Sequence, residues 1–83
     1  MDKLIGRYIV IDPKVCHGSP VFRGTRIMVE HVLEQVTMGM SWDVIVQEWR
    51  GKVSKEAIAE AVSMARQAFV DHAEDYTIET VPA

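Results

Sequence analysis

The chain has one cysteine, three prolines and two residues each of tryptophan, tyrosine and phenylalanine, and it lacks any apolar run near the ~20 residues of a membrane span. One cysteine excludes an internal disulfide, and no signal-peptide pattern precedes the first apolar segment, so a cytoplasmic protein with no membrane contact is expected. No phosphate-binding loop, paired catalytic carboxylates or serine triad can be found. Cys16-His17 is the one pair that invites a chemical reading. Adjacency supplies neither a base nor an oxyanion site, and only His31 and His72 remain as further histidines for a zinc centre. A packed thiol beside a turn histidine is the simpler account. The expectation is a non-catalytic protein without metal or cofactor.

A strong positive charge is also missing. Nine Lys and Arg face twelve Asp and Glu, a net of −3. Residues 1–70 hold nine bases and eight acids. Residues 71–83 hold Asp71, Glu74, Asp75 and Glu79 with no base. The body is therefore near neutral and the acidity sits in the tail, whereas a domain that binds nucleic acid by itself is normally basic. Apolar residues make up 48% of the 83, ample for a core and inconsistent with disorder. A single domain of this size buries only about 60–65% of its unfolded surface, so partners are expected.

The most structured stretch is Asp12 to Val29. Pro13 and Pro20 each fix a backbone angle and push the preceding residue, Asp12 or Ser19, toward extended geometry. Gly18 and Gly24 mark turns. Val21-Phe22 and Ile27-Met28-Val29 are short strand-type runs on either side of Arg23-Gly24-Thr25, which predicts a β-hairpin with Arg23 and Arg26 at its tip.

The run His17-Gly18-Ser19-Pro20-Val21-Phe22-Arg23-Gly24-Thr25-Arg26-Ile27 resembles the signature of a small prokaryotic family, the domain of unknown function 433. The resemblance extends from about Tyr8 to Met64, and its most specific residues are Gly18, Pro20, Gly24, Thr25 and Arg26. It implies a likeness to antitoxins of the VapB kind, a toxin partner of PIN-nuclease type and a fold of helix-turn-helix type.

Read in order, Leu4 to Ile11 is a β-rich run without a polar face, expected to be one strand covered on both sides, one cover being a second subunit. Such an exposed edge predicts a homodimer. Val29, Val32, Leu33 and Val36 then recur at helical spacing up to Met38, and Gly39 ends that helix. Ser41 caps a second helix from Trp42 to Arg50, with Trp42, Ile45, Val46 and Trp49 inward and Gly51 as its stop. Ser54 caps a third, with Ile58, Ala61, Val62, Ala65 and Phe69 buried and Lys55, Ala59, Glu60, Ser63, Arg66 and Gln67 outside. The fold class expected is α+β, mainly α: an N-terminal strand and hairpin over residues 1–28, three helices of helix-turn-helix type over 29–70 and an acidic tail over 71–83.

Two surfaces could meet double-stranded DNA. In the helix-turn-helix plan the third helix presents Ser54, Lys55, Glu56, Ala59 and Glu60, a poor set for phosphates, with Arg50 and Lys52 in the turn before it. The hairpin offers Lys14, Arg23, Thr25 and Arg26; the competing role for its arginines is to pair with carboxylates or hold the hairpin's own carbonyls. The tail, with Asp71, Glu74, Asp75, Tyr76, Ile78 and Glu79, suits the basic groove of a nucleic-acid-cleaving partner; the plainer alternative is a solvated extension of the third helix. The function expected is an antitoxin-like protein that binds a PIN-type toxin, with operator DNA as a second ligand. The alternative is a protein-interaction or assembly module without a DNA role.

Overall fold

The computed structural model describes residues 3–77. A three-stranded antiparallel sheet of order β1-β2-β3 packs beside three helices, an α+β arrangement that is mainly helical. The strands are β1 (Lys3–Leu4), β2 (Ile9–Ile11) and β3 (Val21–Phe22); the helices are α1 (Val29–Thr37), α2 (Trp42–Glu48) and α3 (Lys55–Asp71).

The run Leu4 to Ile11 is not one strand. It folds on itself, Lys3 opposite Ile11 and Leu4 opposite Val10, with the Ile5 and Gly6 amides donating to the Ile9 carbonyl. β2 is thereby a central strand. Ile9 packs into the helical core while Val10, on the opposite face, is also buried. The apolar run concealed a turn, so that β1, from the same segment, pairs one edge of β2, while Leu4 and Ile5 stay exposed. The remaining edge is β1, two residues long and too short to invite much pairing.

After β2 the Asp12 carboxylate accepts from the Lys14 amide, and a 3-10 turn at Cys16–Gly18 carries three successive left-handed residues, Cys16 (φ 50°), His17 (φ 58°) and Gly18 (φ 82°). Ser19, held before Pro20, is extended at φ −68° and ψ 147°. The chain returns as β3, Ile9 opposite Phe22. The expected hairpin follows: Thr25 N–H donates to Phe22 O at 3.0 Å, Phe22 N–H to Ile27 O at 3.0 Å, and Val29 N–H to Pro20 O at 3.0 Å. Its second arm is a single bridge, Val21 to Met28, because Val29 already begins α1.

Gly24 sits at the third position of this turn with φ +78° and nothing within 4 Å of where a Cβ would stand. The cost of a side chain there is conformational alone, and it is largest for a β-branched one. Gly24→Val is expected to destabilise by about 1–3 kcal/mol, with Gly24→Asn losing much less because asparagine tolerates this region. Thermal melting of the two variants checks it; equal midpoints would remove the turn's conformational role.

The helix signals are local and are met. Ser41 Oγ accepts from the Val44 amide and Ser54 Oγ from the Ala57 amide. Gly39 (φ 83°) closes α1, its amide bonding Val36 O while Met40 bonds Gln35 O, a Schellman ending. The core joins Ile9 and Phe22 of the sheet to Val32, Ile45 and Ile58 of the three helices, with Val53 between α2 and α3. Coverage is uneven, however. Trp42, expected inside, is exposed. Along α3 only Ala57, Ile58 and Ala61 are buried; Val62 is half-buried, and Ala65 and Phe69, expected on the buried face, are exposed, Phe69 at 57%. The helix is longer than the body that covers it.

Candidate nucleic-acid interface

The hairpin turn and the α2–α3 turn lie about 25 residues apart in sequence and line one groove. Its apolar lining is Val10, Val15, Val21 and Ile27, and its volume is about 1240 Å³. Arg23, Arg26, Arg50 and Lys52 all line it, together with Trp49 and with His31 of α1. Two carboxylates, Asp12 and Glu48, also line it, so four cations against two anions leave a net of +2 with His31 neutral. Among the described residues none of the four cations forms a salt bridge, and neither Arg23 nor Arg26 donates a side-chain hydrogen bond. The role as an internal staple is thus not the one these arginines take.

One turn and one side-chain hydrogen bond position Arg50 and Trp49 in the groove lining. α2 ends with Arg50 N–H on Gln47 O and Gly51 N–H on Val46 O, a second Schellman ending. Here the left-handed position belongs to Arg50 (φ 54°), with Gly51 (φ 75°) after it. A non-glycine residue in that region costs about 1–2 kcal/mol, and such strain is retained where a side chain must point a particular way. Trp49 is held by its indole N–H on Gln35 Oε1 at 2.7 Å, which fixes the ring at the groove's edge.

The other residues singled out from the sequence are placed differently. Thr25 lines the groove, but its hydroxyl donates to Phe22 O at 2.7 Å and accepts from Ile27 N–H at 3.0 Å, so it latches the turn and its one O–H is not free to donate to a phosphate. Lys14 is exposed outside the groove. Lys55 is ion-paired with Asp43, whose carboxylate, by hydrogen bond and then by charge, holds the ammonium above its ordinary pKa. It stays charged but is pinned to α2. Glu60, expected on the outer face of α3, turns inward and accepts from Arg7 N–H at 2.9 Å and Tyr8 N–H at 2.8 Å. The carboxylate that most discouraged phosphate at this helix is thereby occupied. Gly18 and Pro20 shape the return into β3 and make no groove contact.

At the far end of α3, Asp71 accepts from Gln67 Nε2, and Glu74, Asp75 and Tyr76 lie exposed on a 3-10 turn (Ala73–Tyr76) that folds the Tyr76 ring to 5.4 Å from Phe69. Ile78 and Glu79, assigned to the same partner-binding tail, lie outside the described residues. Cys16 Sγ meets the Arg26 carbonyl at 3.5 Å, and no group of three His, Cys, Asp or Glu residues placed to hold a metal occurs among the described residues.

The segment that supplies the whole groove lining and all three helix starts is also the segment that a family model matches: residues 9–65, described as protein of unknown function (DUF433). The chain belongs to that family. No curated protein and no solved structure matches it. Within the DUF433 match lie Gly18, Pro20, Gly24, Thr25 and Arg26 and every groove cation, while the acidic end of α3 lies beyond it. No helix among the described residues is long and apolar enough to cross a membrane. Of the groove, the sequence pointed to its cations but not to His31, Trp49, Asp12 or Glu48. A stripe assignment for Trp49 and a helical position for His31 carry no signal of a shared cleft.

Proposed function

We propose that this DUF433 protein is a non-catalytic, antitoxin-like binding protein of helix-turn-helix type, a homodimer whose groove takes the phosphate backbone of operator DNA. The observation that carries this reading is the convergence of Arg23, Arg26, Arg50 and Lys52, all without a carboxylate partner among the described residues, on one open groove. Four unpaired cations at one place answer the objection from total charge, because affinity for phosphate follows local charge. The succession of α2 and α3, joined by the turn that carries Arg50 and Lys52, supports the helix-turn-helix part of this reading. The acidic end of α3 with Tyr76 is the segment offered to a basic partner protein, a toxin of PIN-nuclease type.

The alternative, an interaction module without a DNA role, is favoured by the exposed Phe69, Val70 and Tyr76 on that same end. Titration of a fluorescent duplex by anisotropy at several salt concentrations separates the two. Neutralising four phosphates predicts a log–log salt slope of roughly −3 to −4. No binding at low salt would leave the interaction module as the better reading.

A further inference from the structure

Among the residues that line the groove, His31 is the only histidine, the side chain that ordinarily changes charge between about pH 5 and 8. It stands in the first turn of α1 and is exposed. Among the described residues its ring takes part in no side-chain hydrogen bond and no ion pair. Charges of both signs share the groove with it. Arg23, Arg26, Arg50 and Lys52, from the hairpin and the turn after α2, oppose a positive ring, as does the start of α1 itself. Asp12 after β2 and Glu48 of α2 favour one, as do Glu30 and Glu34, one residue before it and three after it on α1. α3, the other helix packed on α1, places no residue in the groove lining. A phosphate bound in the groove adds charge of one sign only, and that sign favours a protonated ring.

We propose that His31 is a fifth phosphate contact of this groove, made in full only when its imidazole is protonated, so that the groove's affinity for a polyanion is set by pH. The inference rests on the DNA reading above and adds a residue and a regulation to that same site. A neutral imidazole still has one N–H to donate, but a bond from the charged ring is stronger, so the difference between the two states is what pH controls. The proton comes from solvent to the free ring nitrogen, and the lining passes from a net of +2 to +3. The sign follows from linkage. The complex holds more protons than its separated components, so affinity rises as pH falls, and by reciprocity the bound polyanion favours the protonated ring.

The test is an anisotropy titration of a fluorescent mixed-sequence duplex with the full-length chain, between about pH 5.5 and 8 and at several salt concentrations. That range stays above the one in which carboxylates ordinarily titrate, and duplex phosphates are ionised throughout it. The parent is expected to bind about fivefold more tightly at the acid end, the worth of one charge–phosphate contact, with a log–log salt slope steeper there by about 0.9. His31→Gln, a change at an exposed site, is expected to bind across the range as the parent does at the alkaline end. His31→Lys, charged throughout, is expected to bind across the range as the parent does at the acid end. His17→Gln and His72→Gln, at histidines outside the groove lining, are expected to keep the parent's pH dependence. A parent whose affinity and salt slope do not change with pH overturns the role of His31 and leaves the DNA reading standing. So does a pH dependence that survives intact in His31→Gln. A parent that binds the duplex at no pH overturns both readings.

Discussion

Replacing Glu60 with alanine should lower the unfolding free energy by about 2–3 kcal/mol and the melting temperature by roughly 10–20 °C. The carboxylate of Glu60, on the second turn of α3, accepts from two consecutive backbone amides, Arg7 and Tyr8, at 2.9 and 2.8 Å. These are charge-assisted bonds, each stronger than a neutral one, and the site is half-buried, so water replaces the lost acceptor poorly. The bonds also span more than fifty residues: they tie the turn between β1 and β2 to the last helix. Gly6 is part of the same contact, since a Cβ there would collide with the Glu60 carboxylate. Glu60→Gln, which keeps one oxygen acceptor, should lose about half as much. Chemical denaturation of the three proteins checks the order. If Glu60→Ala unfolds at the parent midpoint, the β1–β2 turn is held by the sheet alone.

The second large effect is on the groove. Reversing Arg50 and Lys52 to glutamate should weaken duplex binding roughly 100-fold or more at moderate salt. A phosphate contact at 4 Å is worth about 1 kcal/mol in water, reversal turns attraction into repulsion at two positions, and screening removes part of the total. The fall should be accompanied by a salt slope shallower by about 2. Arg50→Gly gives the sharper diagnosis. Arg50 occupies a left-handed position at φ 54°, where glycine carries no Cβ penalty, so this variant should be more stable by about 1 kcal/mol while binding about tenfold more weakly. Stability and binding moving in opposite directions is what a residue strained for its position predicts. A variant that gains stability and binds the duplex as tightly as the parent would mean that Arg50 makes no phosphate contact.

Several features of the molecule could be read from residues a few places apart. Ser41 and Ser54 as caps, Gly39 and Gly51 at helix ends and Gly24 at the turn all act through hydrogen bonds or backbone angles within four or five residues. The helix spans follow from the same signals to within two residues, and with them the α+β class and the basic character of the two turns. The hairpin tip was legible for the same reason: Gly24 and the flanking apolar pairs leave the chain few other routes.

What the tertiary structure alone decided is where these pieces meet. An apolar run does not show that it will fold back on itself, because both arms of the β1–β2 hairpin read as strand; the turn is held by Glu60, which lies far along the chain. A helical stripe does not show where its cover ends. α3 keeps its period past Ala61, yet the sheet and the first two helices are too small to reach Phe69, so the same pattern is core at one end and surface at the other. Nor does sequence spacing reveal that Arg23 and Arg26 line the same groove as Arg50 and Lys52. Periodicity fixes which side of an element is apolar, but the element on the other side is chosen by packing of the whole, and the groove exists only once both turns are pressed against one core.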